Sequence, residues 1–288
     1  MTPPVTRAEP PVVSIGIPVY NGGKTLAAAL ESVLNQDYPH LDILISDNAS
    51  TDDTRAICER FQARDSRIRY VRQKENIGAA PNFLYVLQNA RGPYFMWAAA
   101  DDVRSSNFVT VNAAFLHEHP EYVASTSPVR FENGGLDPVV MGDGGLEQET
   151  PEARVLAFFT RWHANGRFYS LFRREALLSA RAFGGPTFLA SDWVLMLEMA
   201  RLGKFRRSTA GSVVLGVQGA SHDPHIFRKF RTTWVEHLVP LWRFGGRTWK
   251  LSQDFSARAR TRIALIILEL NLRCWVERFR RHWKKPAA

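Results

Sequence analysis

The chain has little cysteine, no long apolar run and no internal repeat, and each shortage excludes a class of protein. Two cysteines in 288 residues, Cys58 and Cys274, cannot make a disulfide framework. They lie far apart in helix-like segments and read as reduced thiols of a cytoplasmic protein. The longest apolar run near the C-terminus, residues 263–268, is six residues long, against the roughly 20 a membrane-crossing helix needs. Residues 1–11 are proline-rich and lack an apolar core, so they read as a flexible lead-in and not a signal peptide. Acidic charge is scarce only at the C-terminal end. Residues 225–288 hold 15 Lys/Arg against 4 Asp/Glu, a net of +11, whereas residues 1–224 hold 22 against 24, a net of −2. The basic tail belongs to no recognisable nucleic-acid module, which argues against a nucleic-acid partner. A near-neutral body with a basic appendage fits an enzyme with a docking segment.

What is present is an alternation of strand and helix patterns. Residues 12–18 are apolar and β-branched, and Tyr20-Asn21-Gly22-Gly23 then breaks the run. Residues 25–35 carry Leu26, Ala29, Leu30, Val33 and Leu34 at helical spacing. Further strands are predicted at 41–46, 68–72, 94–99 and 122–126, with helices from Thr51 or Asp52 to 63, at 81–90 and at 106–118. This predicts an α/β fold, a Rossmann-like, mostly parallel sheet flanked by helices. In such sheets ligands bind beyond the carboxyl ends of the strands, which gathers Asn21, Asp47, Asn76 and the Asp101-Asp102 pair in one crevice. Beyond residue 126 the pattern weakens. Residues 133–149, with five glycines, read as a mobile loop. Strands are expected at 168–172 and 212–217, and a helix at 192–202. The expected organisation is a catalytic domain over 12–224, with a first half to residue 125 and a second half from 126, followed by a basic helical C-terminal region, 225–288.

The run Tyr94-Phe95-Met96-Trp97-Ala98-Ala99-Ala100 ends in Asp101-Asp102. Two adjacent carboxylates at the end of a buried strand are costly unless a cation neutralises them. A hard divalent cation does this, and Mg²⁺ is typically held by one or two carboxylates plus substrate phosphates. The competing reading is that the pair caps the helix starting near residues 105–107.

Five motifs, in order, resemble the family-2 glycosyltransferases. They are Ile17-Pro18-Val19-Tyr20-Asn21; Ser32-Val33-Leu34-Asn35-Gln36; Ile45-Ser46-Asp47-Asn48-Ala49-Ser50-Thr51-Asp52; Asn76-Ile77-Gly78 with Asn82; and Gly92-Pro93-Tyr94 leading to Asp101-Asp102. The resemblance is strong over 12–125, fainter to about 217 and absent beyond. It implies a GT-A fold, a nucleotide-sugar donor, a divalent cation (Mn²⁺ or Mg²⁺) and inversion at the sugar carbon. On that reading Pro18, Tyr20 and Asn21 wall the base and ribose, Asp47 accepts a hydrogen bond from the base, and Asn76, Gly78 and Asn82 shape a nearby loop. Asp101 faces the ribose or the metal's water shell and Asp102 ligates the metal, with Asp101 and His222 as further candidate ligands. The family's Asp two positions before the metal ligand is replaced here by Ala100. Asp192 is the candidate base that deprotonates the acceptor hydroxyl; its alternative is a plain helix cap. Trp162, His163 and Trp193 are candidates to stack on an acceptor sugar, or for the core.

The reading is therefore an inverting, metal-dependent glycosyltransferase acting on a hydroxyl of a surface glycan or lipid-linked glycan. Asp47 suits the imide of a UDP or dTDP donor. The rivals are a nucleotidyltransferase, whose phosphate loop would have to be Asn21-Gly22-Gly23-Lys24, and an inactive nucleotide-binding scaffold. In the tail, residues 256–283 read as a basic helix with Ile263, Ile266, Ile267, Leu270, Cys274 and Val276 as its apolar contacts. Trp275 and Trp283 lie among seven arginines. Such a helix either docks on the inner leaflet of the membrane or packs on the catalytic body.

Overall fold

The computed structural model describes residues 9–159, 162–182, 187–216, 230 and 233–283, with side chains to residue 276. The strands are β1 (Val13–Val19), β2 (Leu41–Asp47), β3 (Ile68–Arg72), β4 (Tyr94–Trp97), β5 (Val103–Arg104), β6 (Tyr122–Thr126), β7 (Val129–Phe131), β8 (Leu171–Arg173), β9 (Lys204–Arg207) and β10 (Val213–Leu215). The helices up to residue 202 are α1 (Leu26–Leu34), α2 (Thr54–Arg64), α3 (Ala79–Gln88), α4 (Phe108–Glu118), α5 (Pro138–Met141), α6 (Pro151–Phe158), α7 (Arg174–Ser179) and α8 (Ser191–Leu202). Seven strands form the main sheet in the order β3-β2-β1-β4-β8-β6-β9, and β5-β10-β7 form a small second sheet. The first four positions of the main sheet are parallel, while β8 runs antiparallel to both β4 and β6.

Every residue of β1 and β2 is buried, as expected for parallel strands covered by helices on both faces. Along β4 the side chains alternate. Phe95 and Trp97 join the layer of α3 and α8, whereas Met96 and Ala98 join Ile15, Ile17, Ile43 and Phe108 on the other side. The chain runs β1, β2, β3 outward and then crosses back to β4 on the other flank of β1, so a switch point lies between β1 and β4. Their pairing ends at Gly16 and Trp97, while β1 continues to Val19 beside β2. Pro18, which has no N–H to donate, stands just past the last rung towards β4, where its loss is tolerated. The crevice opens there.

Several expectations are corrected. Residues 133–149 are not one irregular loop. The Asp137 carboxylate caps α5, Asp143 is fully buried and accepts from the Val129 N–H at 2.7 Å, and Leu146 bridges to Phe205. The strand expected at 168–172 is a 3₁₀ turn, Gly166–Tyr169, followed by β8. Strands β5, β7 and β9 and helices α6 and α7 were not expected. The tail forms helices Val235–Leu238, Trp242–Leu251 and Ala257–Trp283. Leu241, Phe244, Ile263, Leu270 and Cys274 belong to the same apolar layer as α8, so this region packs on the α/β body.

Gly16 allows β1 to lie against α3. A Cβ there would stand 2.6 Å from Val86 Cγ2 and 2.8 Å from Phe95 Cζ. Gly16→Ala should therefore lower stability by about 1–3 kcal/mol through overpacking, seen as a lower denaturant midpoint with an unchanged m-value.

Candidate active site

On one side of the crevice the loops after β1 and β2 are stitched together. The N–H groups of Asn21, Gly22 and Gly23 donate to Ser50 Oγ (2.9 Å), Thr54 Oγ1 (2.9 Å) and Asp52 Oδ2 (2.8 Å). Asn21 Oδ1 accepts from the Thr51 N–H at 2.8 Å. The donors that a phosphate-cradling loop would offer are thus already spent within the protein, which removes the main support for the nucleotidyltransferase rival. Tyr20 stands half-exposed above this loop.

Asp47 is fully enclosed. Its Oδ1 accepts from the Ser50 N–H (2.8 Å), and its Oδ2 accepts from the Tyr70 hydroxyl (2.9 Å) with Arg72 Nε 3.5 Å away. In this structure it ties the loop after β2 to Tyr70 of β3. Asn48 holds the next loop: its amide donates to Asn76 Oδ1 (2.9 Å) and Gly78 O (3.1 Å) and accepts from the Ile77 N–H (2.8 Å). Gly78 has φ +88, a conformation natural to glycine. Asn82 is buried and spends both ends of its amide on Ser46. Exposed Asn76 is the loop residue most open to a ligand.

At the end of β4 the capping alternative fails. Strand β5 follows Asp102 directly, and α4 begins only at Phe108 after an Asn107 cap. Asp102 is 2% exposed; its Oδ1 accepts from the Gly216 N–H at 3.2 Å, and its Oδ2 is buried with no hydrogen-bond partner among the described residues. Burial pushes its carboxyl up to about 6, with Arg104 opposing the rise and Asp101 adding to it. Sequence reasoning missed Arg104. It is buried, donates from Nη2 to Trp97 O at 2.7 Å, and leaves Nε and Nη1 without partners among the described residues. Gly216, just after β10, is fitted around Asp101, because a Cβ there would lie 2.3 Å from Asp101 Oδ2.

The opposite wall comes from the second half of the chain. Asp192 lies in the first turn of α8, after Ala190, which has φ +66, so it is not the cap residue itself. Asn165 Nδ2 donates to Asp192 Oδ2 at 2.8 Å. Asp192 is exposed to solvent, yet the protein packed around it raises its carboxyl above the ordinary range, with the Asn165 bond opposing. That exposure limits the rise, because water reaches the anion. Tyr169, also missed, has its hydroxyl raised by burial and then by the charges of Asp102, Asp101 and Asp192. All three carboxylates therefore act electrostatically on this one hydroxyl. Of the candidate sugar-stacking rings, His163 and Trp193 are buried and Trp162 is exposed. His163 (4.3 Å, 20°) and Trp162 (4.6 Å, 28°) both stack on the buried Trp193, so of these three rings only the exposed Trp162 is open to a ligand. His222 lies outside the described residues.

Among the described residues no group of three or more His, Cys, Asp or Glu could hold a metal. A cation at Asp101-Asp102 would take its remaining oxygens from water and a bound diphosphate, as Mg²⁺ and Mn²⁺ do. The unpartnered Asp102 Oδ2 fits that role.

Fold and site together define a GT-A architecture with carboxylates at its switch point. The chain belongs to glycosyl transferase family 2, whose sequence profile matches residues 14–179. It is 27% identical over 172 residues to the GalNAc(5)-diNAcBac-PP-undecaprenol beta-1,3-glucosyltransferase of Campylobacter jejuni, covering 59% of this chain and 54% of that protein. The chain spans between a third and about half of the length of the first curated relatives it matches. Among solved structures, S. aureus TarS bound to UDP-GlcNAc superposes with a TM-score of 0.67 at 18% identity, over 89% of this chain and 71% of that one. The mannosyltransferase PcManGT from Pyrobaculum calidifontis, bound to GDP-Man and Mn²⁺, gives 0.55 at 20% identity over 93% and 84%. At these identities the likeness concerns the fold.

Gly216→Ala should displace the Asp101 side chain and weaken divalent-cation binding by roughly tenfold or more. The added Cβ also stands 2.4 Å from Asp101 Cγ and 2.5 Å from its Cβ, so the backbone must shift and the thermal midpoint should fall too. Calorimetric titration with Mn²⁺ beside a melting curve checks both.

Proposed function

We propose that the protein is an inverting, metal-dependent glycosyltransferase that moves a sugar from a nucleotide-sugar to a hydroxyl of a glycan acceptor in polysaccharide synthesis. The observation that carries this reading is the pairing of two walls. The buried, unpartnered Asp102 oxygen beside Asp101 and the Asp192 carboxylate at the start of α8 both act on the Tyr169 hydroxyl, which supports one site built from both halves of the chain. The family membership supports the reaction class. The ligands of TarS and PcManGT, and the lipid-linked glycan in the name of the Campylobacter enzyme, support the donor and acceptor classes.

In this mechanism the donor's base and ribose rest on Tyr20, Asn21 and the Asn76–Ile77–Gly78 loop, above Asp47. Asp102, with Asp101, would hold a divalent cation, which would supply charge to offset that of the diphosphate leaving group. Asp192, aimed by Asn165, takes the proton from the acceptor hydroxyl. That oxygen forms its bond to the anomeric carbon as the bond to the diphosphate oxygen breaks, and the diphosphate leaves with the electron pair. Attack and departure lie on opposite sides of the carbon, so its configuration inverts. A UDP or dTDP donor would place its base over the Asp47–Tyr70 pair, and because Asp47 is fully enclosed the pair would have to open for the carboxylate to meet an imide.

A thermal-shift panel of UDP, dTDP, GDP and CDP, each with and without Mn²⁺, tests the proposal, since a ligand of the native state raises the melting temperature. A metal-dependent rise with one nucleotide, lost in Asp102→Ala, is expected; no rise with any nucleotide would favour the scaffold. Asp192→Asn should keep that shift and lose transfer by about 10²–10⁴-fold, as read by product formation. A proton competes with the cation for Asp102. With its pKa near 6, Mn²⁺ affinity should climb up to about tenfold per pH unit below that value and level off above about pH 7. A flat profile between pH 5 and 7 would exclude Asp102 as a ligand.

A further inference from the structure

We infer that the C-terminal helices form a docking face for an anionic lipid bilayer, on the side of helix Ala257–Trp283 turned away from the body. Helix Ala257–Trp283 is apolar on two sides. Ala259, Ile263, Leu270 and Cys274 are buried against the body. Leu265, Leu268 and Leu272 are 61%, 57% and 57% exposed, and Val276 is exposed beside them. At about 100° per residue these four fall within roughly 80° of arc, on the side away from Ile263. Single exposed leucines are ordinary, but a continuous stripe along a helix marks an interaction surface.

The stripe continues onto the neighbouring segments. The indole N–H of Trp275 donates to Leu238 O at 2.8 Å, and Leu238 is itself exposed. Leu241, whose N–H donates to Asn271 Oδ1 at 3.0 Å, leads into helix Trp242–Leu251, where Trp242 is 57% exposed. Tryptophans at the edge of a leucine stripe suit a membrane interface, where one end of the ring is dry and the other wet.

Charge selects the occupant. Arg258 and Arg262 stand exposed along the flank of the stripe, Arg273 pairs with Glu269 at 2.6 Å, and residues 225–288 carry a net +11. A second copy meeting this face about a two-fold axis would bring arginine rims together, like charge against like. A polyanion such as nucleic acid would satisfy the arginines but leave the leucines in water. An anionic bilayer satisfies both, with headgroups at the rim and the stripe in the acyl boundary. No described helix is long and apolar enough to cross a membrane, so this one would lie in the plane of the surface.

The test is co-sedimentation of the full chain, without nucleotide, with phosphatidylcholine vesicles and with vesicles containing phosphatidylglycerol. The outcome is therefore independent of the donor reading. Binding should be roughly tenfold or more tighter to the anionic vesicles and weaken at high salt. Leu268→Gln/Leu272→Gln should reduce it by a similar factor while keeping the melting midpoint, since both positions are exposed. No binding of the wild type to anionic vesicles, or equal binding of wild type and variant, overturns the proposal. So does sedimentation velocity showing a wild-type dimer that the double variant dissolves, which would give the face to a second copy.

Discussion

The site depends on an unbalanced burial of charge at the end of β4. Two consecutive carboxylates leave a strand whose residues are all buried, and Arg104, buried two residues beyond Asp102, supplies one positive charge that acts on it. Neither Arg104 nor Asp102 is stable there alone, because an uncompensated buried ion costs several kcal/mol. Together they still leave an excess negative charge and an Asp102 oxygen without a hydrogen bond. The same turn ties the two sheets together. Residue 216, just past β10, supplies the N–H that Asp102 accepts, and its lack of a side chain makes room for Asp101. The second half of the fold is thus needed to hold the carboxylates that the first half delivers.

Backbone strain follows the same outline. Among the described residues, the non-glycine positions with positive φ are Asn21, Ala49, Asn165 and Ala190. Each borders the crevice: the first two in the stitched loops after β1 and β2, the third beside Asp192, the fourth just before α8. An alanine held in the left-handed region costs on the order of 1–2 kcal/mol and persists only where its neighbours leave no alternative. Ala49 is fixed between Asp47, which caps the Ser50 N–H, and Ser50, which accepts from Asn21. Ala190 sets the angle at which α8 starts and so the position of Asp192. The strain serves to aim side chains at one point from opposite walls.

The first 120 residues were legible because hydrophobic period, turn residues and topology agree there. Strands such as VSIGIPV and LDILISD are long, apolar and bounded by loop-forming residues, and the strand-end rule then located the carboxylates. The second half resisted for physical reasons. β7 and β9 read VRF and KFRR, too short and too charged to carry a period. Their place is set by pairing with β10 and β6. The glycines of 133–149 suggested an open loop, but Asp143 and Leu146 anchor it from within. Arg104 and Tyr169 had no signal of their own. An arginine after two aspartates reads as a solvated turn, and Tyr169 reads as one more aromatic in a core run; only tertiary placement puts both among the carboxylates.

The C-terminal helix shows the limit of periodicity most directly. Six consecutive apolar residues, 263–268, cover every side of a helix, so the pattern says that two faces are apolar without saying which one the body takes. Packing decides: Ile263 and Leu270 go in, Leu265 and Leu268 stay out. This choice also links the outward face to the chemistry. Phe244, on the helix that carries exposed Trp242, packs edge-on against Trp193, with ring centres 6.1 Å apart. Trp193 follows Asp192 directly. A surface that carries Trp242 and the leucine stripe is therefore joined to Asp192 through one buried ring contact. If the proposed function and docking face both hold, an acceptor anchored in that surface meets Asp192 at a depth set by this packing and not by a flexible tether.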